Sequence, residues 1–241
     1  MDLQLPFRIE AQDEQEVLDQ LRAAIIVVPR RGEGRRKTHT EPWIVQTLFP
    51  ALCAAKLLDY PLVAEHRSPP ADRPDVYMVS GSREIGLEIT EAVPEWLARA
   101  EAIRDHVYPG VEVPRSLFPD DAAPSSEEIR EMLAGPLRPE LPLYGDAVEQ
   151  QWAALVDKAI LNKINDCTKQ GFHRYPESWL AVYHSPRAPA LELNVAHSRL
   201  RSLQSALRHF DRLLLFSDNR VLFVNHTGSQ IMELSALEPD A

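Results

Sequence analysis

The chain has 241 residues, 44% of them hydrophobic, and a formal net charge of −10. That length supports a sizeable core, as one large domain or one domain carrying an insertion. No apolar run approaches the roughly 20 residues of a membrane span, and the acidic balance excludes a protein that binds nucleic acid over its whole surface, because phosphate contacts need clustered Lys and Arg.

Met1-Asp2-Leu3-Gln4 has neither the basic start nor the apolar stretch of a signal peptide. The expectation is a soluble, cytoplasmic protein with no membrane partner. Cys53 and Cys167 lie far apart in helix-like segments without a CxxC or CxxH neighbour. Buried thiols are expected, rather than a disulfide or a structural zinc site.

Residues 11–26 have helical spacing, with Val17, Leu18, Leu21 and Ile25 on one side, and the apolar run that follows stops at Pro29. Residues 30–37 hold five basic side chains in eight: Arg30, Arg31, Arg35, Arg36 and Lys37. Two glycines predict a flexible loop here. It is either simply solvated or, beside a site that handles nucleic acid, a phosphate-contacting strip. Thr38 to Trp43 reads as a helix start with Thr40 as N-cap and Pro42 in the first turn. The helix continues through Ile44, Leu48, Leu52 and Leu57, with a kink at Pro50. Glu41 favours the positive end of this helix and is also placed to reach a nearby metal site.

Tyr60 to His66 reads as a strand, and Arg67 to Asp72 as a proline-rich turn. Two further strands follow, joined at Gly81-Ser82, a pair suited to a two-residue hairpin loop. Three consecutive strands suggest an antiparallel meander. The loop fixes the register: Ser80 faces Arg83, Met78 faces Ile85, Val76 faces Leu87 and Asp75 faces Glu88. One face carries Val76, Met78, Ile85, Leu87 and Ile89. The other carries Asp75, Tyr77, Glu84, Gly86, Glu88 and Thr90. Like charges directly opposed, about 5 Å apart at Cβ, repel. A divalent cation between Asp75 and Glu88 relieves that repulsion; the alternative is two solvated carboxylates on an exposed face.

Residues 94–148 hold eight of the twenty prolines and read as an irregular insertion, a lid or partner surface within a single domain spanning 1–241. Pro94 opens a short helix to about Val107, and Ser125-Ser126-Glu127-Glu128 is a capping-box pattern opening another to about Leu133. Residues 149–170 form the strongest helix, with an apolar stripe of Trp152, Leu155, Val156, Ala159, Ile160, Ile164 and Cys167. At about 100° per residue, Lys163 falls within that stripe and Lys158 nearly opposite. A lysine on a core face either snorkels outward or meets a buried carboxylate. Ser178 to Tyr183 reads as a strand, 197–210 as an amphipathic helix, and 212–216 and 220–224 as strands about a Ser217-Asp218-Asn219 turn. The tail after His226 is expected to be peripheral. There is no HExxH, GxSxG, P-loop or GxGxxG.

The order helix, strand, strand with Pro74-Asp75, strand with Glu88-Ile89-Thr90, helix, strand resembles the PD-(D/E)xK, restriction-endonuclease-like superfamily. Its signature is an Asp at the start of one strand and a (D/E)xK tripeptide on the next. The resemblance covers roughly 41–93 and 149–184. Thr90 stands where the motif lysine belongs, and in some branches of the superfamily that lysine has moved to the following helix, where Lys163 lies. Glu41 resembles the acidic residue that several members carry on the first core helix.

The resemblance implies an α/β fold with a central mixed sheet of about five strands flanked by helices. It also implies a metal-dependent nuclease with Mg²⁺ or Mn²⁺ held by Asp75, Glu88 and the Ile89 carbonyl, Glu41 beside them and Lys163 as the catalytic lysine. Nucleic acid is the expected partner, DNA ahead of RNA, with residues 30–37 on its backbone and a homodimer as a possible assembly. The alternative is an inactive member of the fold, a binding or assembly module that presents 94–148 to a protein partner; Thr90 and the net charge favour it.

Overall fold

The computed structural model describes residues 7–67, 74–109, 111, 113, 124–135, 145–169, 172–184 and 191–234. The strands run β1 (Arg8–Ala11), β2 (Leu62–His66), β3 (Val76–Ser80), β4 (Arg83–Ala92), β5 (Glu177–His184), β6 (Arg212–Ser217), β7 (Arg220–Asn225) and β8 (Gly228–Glu233). They form one sheet in sequence order. β1 to β4 pair antiparallel, β5 is parallel to both β4 and β6, and β6 to β8 are again antiparallel.

The fold is therefore α/β with a mixed sheet flanked by helices, but the sheet has eight strands rather than about five. Two of the additional strands are its edges. β1 is only four residues long, and β8, which replaces the expected peripheral tail, is mostly exposed.

The helices are α1 (Glu14–Ala23), α2 (Lys37–Ala54), α3 (Glu95–Val107), α4 (Ser126–Ala134), α5 (Ala147–Cys167), α6 (Leu193–Arg199) and α7 (Leu203–Ala206). α1 and α2 cover one face of the sheet through Val17, Leu21, Val45 and Leu48, which pack on Met78, Leu87 and Trp179. α5 covers the other face through Trp152, Val156 and Ile160, which pack on Leu180, Val182 and Leu213. β5 and β6 lie between the two layers, which is why Trp179 to Val182 and Leu213 to Phe216 are apolar without alternation. The crossover from β4 to the parallel β5 runs through α3, α4 and α5.

Several local expectations change. α2 begins at Lys37, not after Thr40. The Arg36 N–H donates to His39 Nδ1 at 3.0 Å, and Thr40 Oγ1 donates back to the Arg36 carbonyl, so the Thr40 hydroxyl is used inside the helix. α2 also ends at Ala54, short of Leu57. The helix expected over 197–210 is broken at 200–202, where Asp157 accepts from the Arg201 and Ser202 N–H groups and from Ser202 Oγ.

Residues 30–37 do not form an open loop: Arg31–Glu33 is a 3-10 turn packed on α3. The proline-rich turn lies outside the described residues from 68 onward, as do parts of the insertion. The expected α3 and α4 are present and share a small core of Trp96, Leu97, Ala100, Ile129 and Leu133. Ser125 caps α4, accepting from the Glu128 N–H while its own N–H donates to Glu128 Oε2. Cys53 is buried and Cys167 half-buried, both as thiols.

Candidate metal site on the central hairpin

The Gly81-Ser82 turn sets the register of the β3–β4 hairpin. Gly81 adopts φ 59°, which a primed turn requires and glycine accepts. The pairs Ser80–Arg83, Met78–Ile85 and Val76–Leu87 form as expected. Val76, Met78, Ile85, Leu87 and Ile89 then face α1 and α2. By alternation Glu88 faces α5.

Asp75 lies one residue before β3. Its carbonyl accepts from the Arg67 N–H at 3.0 Å, and its Oδ2 accepts from the Ile89 N–H at 2.7 Å. The carboxylate thus takes up the Ile89 N–H just before β3 begins. Ile89 meets Asp75 through its N–H.

Lys163 closes the group. Its Nζ lies 3.2 Å from Asp75 Oδ2 and 2.6 Å from Glu88 Oε2, with side-chain exposures of 10% for Lys163, 17% for Asp75 and 5% for Glu88. Burial alone pushes the ammonium toward its neutral form, but the two carboxylates outweigh it, and the pKa rises above the ordinary 10.5. Lys163 is buried on α5, as its place on the apolar stripe predicts. Lys158 points outward, 64% exposed, beside Glu95.

The other expected residues stand elsewhere. Glu41 is buried, but His66 holds it, with Nε2 2.7 Å from Glu41 Oε2. His66 shares the α2 face with Leu62 and Ala64 by alternation, so Glu41 belongs to the opposite side of the sheet from Glu88.

In the basic segment, Arg31 pairs with Glu91 at 2.5 Å and Glu101 at 2.7 Å, while Arg35 pairs with Glu91 at 3.4 Å. Arg30, Arg36 and Lys37 are exposed. Among the described residues, no group of three or more His, Cys, Asp and Glu side chains gathers to hold a metal ion, and no helix is long and apolar enough to cross a membrane.

Beside the triad lie residues that local motifs did not single out. Arg67 sits over the Tyr77 ring, 4.4 Å from its centroid, and donates to Tyr175 Oη at 3.1 Å. Gly86 held the available signal, since glycine inside a strand marks close approach of another group. A Cβ there would lie 2.5 Å from Tyr175 Cδ2. Ser80, by contrast, is used structurally, accepting from the Asp59 N–H and donating to the Asp59 carbonyl. No protein-family model, curated protein or solved structure matches the chain.

Proposed function

We propose that the chain is a Mg²⁺- or Mn²⁺-dependent nuclease of the PD-(D/E)xK kind, hydrolysing phosphodiester bonds of nucleic acid, DNA ahead of RNA, in the cytoplasm. The observation that carries this reading is the position of Lys163 Nζ, within 3.2 Å of Asp75 Oδ2 and 2.6 Å of Glu88 Oε2. An ammonium from the following helix thus reaches the two carboxylates of a motif whose own third position is Thr90. The order meander β2–β3–β4, helix α5, parallel strand β5 supports the same reading.

The donor set suits a hard divalent cation, since Mg²⁺ sites combine one or two carboxylates with waters and substrate phosphate. Asp75 and Glu88 would hold it, with the Ile89 carbonyl as a third donor. When bound, such an ion lowers the pKa of a water and offsets charge on the phosphoryl group. Asp75 and Glu88 raise the Lys163 pKa, and as an ammonium it would donate a hydrogen bond that orients the nucleophile or offsets transition-state charge. Glu41 takes no part, and of the basic segment Arg30, Arg36 and Lys37 are left to meet phosphates.

A second reading is an inactive module that presents α3 and α4 to a partner. Thr90 favours it, and so does the closure of the triad on itself, because a buried lysine between carboxylates can serve structure alone. Labelled DNA and RNA substrates with Mg²⁺ or Mn²⁺ separate the two. The nuclease reading expects metal-dependent cleavage that Glu88→Ala and Lys163→Ala abolish. Cleavage of no substrate, or unchanged cleavage by both variants, sinks it.

A further inference from the structure

On the α5 side of the sheet, next to the triad, four planar groups form a continuous row. The Arg67 guanidinium lies over Tyr77. Tyr77 and Tyr175 have ring centroids 5.5 Å apart at an interplanar angle of 48°. His173 meets Tyr175 edge-on at 4.7 Å. Gly86, paired with Tyr77 across the hairpin, leaves the bare backbone on which Tyr175 rests.

This row is not core. Arg67, Tyr77 and Tyr175 are half-buried and His173 is exposed, and neither tyrosine belongs to the clusters that line the two sheet faces. It is continuous with the triad: Tyr77 lies two residues past Asp75, and Gly86 two before Glu88, a step of about 6.7 Å along a strand. Cations lie along it. The Arg67 guanidinium sits on Tyr77 and reaches Tyr175 Oη, Lys163 meets Asp75 at the triad end, and the exposed Arg174 belongs to the segment that carries His173 and Tyr175. Glu65 pairs with Tyr77 across the sheet, and Glu84 lies two residues beyond Gly86. An anionic backbone is drawn to the cations of the row and repelled where these carboxylates stand.

We infer that the row is a stacking shelf for an unpaired nucleobase, and that the substrate is a single-stranded polynucleotide; this rests on the nuclease reading above. A base within a duplex has both faces covered and reaches such a shelf only after unstacking. Stacking on aromatic side chains and guanidinium planes tolerates any base, and one stacked base is worth about 5- to 150-fold in affinity.

The test is fluorescence anisotropy with the full chain in EDTA, where no metal-dependent cleavage runs. The probe is a short fluorescein-labelled single strand, in deoxy and ribo forms, and the same strand annealed to its complement. The single strand is expected to bind at least about 10-fold tighter than the duplex. Tyr175→Leu and Tyr77→Leu each lose about 5-fold or more, while Tyr175→Phe, which keeps the ring, retains binding. A fluorescent base analogue in the strand is quenched by the wild type and not by Tyr175→Leu, with thermal unfolding confirming that the variants fold.

Equal affinity for single strand and duplex, no binding of either, or wild-type affinity in Tyr175→Leu with an unquenched analogue overturns the shelf. Cleavage measured separately with Mn²⁺ keeps the two ideas apart. Glu88-dependent cleavage without strand preference removes the shelf and leaves the nuclease. Tyrosine-dependent, strand-selective binding without any cleavage leaves the shelf and removes the nuclease.

Discussion

Two ionic clusters stand on opposite faces of β4, built around Glu88 and Glu91. Glu88 faces α5 and shares Lys163 with Asp75. Glu91 faces the other way and takes Arg31 and Arg35, while Arg31 also holds Glu101 of α3. The ingredients are alike and the arrangement is not. Two guanidiniums answer two carboxylates around Glu91, which ties the 3-10 turn, β4 and α3 into a clamp. Around Glu88 the Lys163 ammonium bridges two carboxylates of one hairpin in a site mostly closed to water. A cluster joining three distant segments has a structural explanation. Two carboxylates brought together on one hairpin have the donor chemistry that the proposed function assigns to a divalent cation.

The largest expected effect breaks this comparison directly. Glu88→Gln lowers cleavage by at least about 100-fold, while Glu91→Gln leaves the cleavage rate near wild type and costs about 1–2 kcal/mol of stability through a lost charged hydrogen bond. Steady-state cleavage and denaturant unfolding of both variants check it; equal loss of cleavage in the two removes the functional distinction between the clusters.

Lys163→Met comes next. It leaves the buried Glu88 and the half-buried Asp75 without their shared cation, so stability falls by about 3–5 kcal/mol. Mn²⁺ then raises the Tm of the variant more than that of the wild type, because it binds the folded state only and no ammonium competes for its oxygens. An absence of Mn²⁺-linked stabilisation in Lys163→Met argues that the pair does not hold metal.

The same lysine sets a pH dependence. Its pKa is raised in the folded chain, so the ionic stabilisation is complete below the ordinary 10.5 and lost as pH rises through the folded value. Alkaline unfolding of the wild type carries a step above pH 10.5 that Lys163→Met lacks.

What could be read from the sequence was what local geometry fixes. A two-residue turn at Gly81-Ser82 sets every pair of the hairpin, and 100° per residue puts Lys163 on the buried stripe of α5. What could not be read depended on partners distant in the chain. Arg31 and Arg35 look like a free basic strip until Glu91 and Glu101, some 56 to 70 residues on, are placed against them. Glu41 looks like a metal ligand until His66 takes it. The break at Ser202 is made by Asp157, 45 residues earlier. β1 alternates Arg8-Ile9-Glu10-Ala11, but four residues are too few to mark a strand, and β8 is exposed along most of its length, so it has no apolar period to find.

Smaller effects test the structural half of the comparison. Gly32 packs so tightly on α3 that an added Cβ would lie 2.5 Å from Asp105 Cβ and 3.1 Å from the Ala102 carbonyl oxygen. Its N–H also donates to Asp105 Oδ2 at 3.1 Å. Burial opposes ionisation of Asp105, but this bond and Arg104 outweigh it and hold its pKa below the ordinary value. Gly32→Ala is expected to cost about 1–3 kcal/mol and to raise hydrogen exchange in α3 while α5 stays protected and cleavage persists.

The smallest effect belongs to Lys158. Its ammonium lies 3.6 Å from Glu95, with the two side chains 64% and 81% exposed, a surface contact of little worth. Lys158→Met should leave cleavage unchanged and stability within about 0.5 kcal/mol. The two lysines are five residues apart on one helix, which separates them by roughly 140° around its axis. Only one can therefore face the sheet. Loss of cleavage in Lys158→Met, with full activity in Lys163→Met, would rotate α5 and take the ammonium out of the Asp75–Glu88 site.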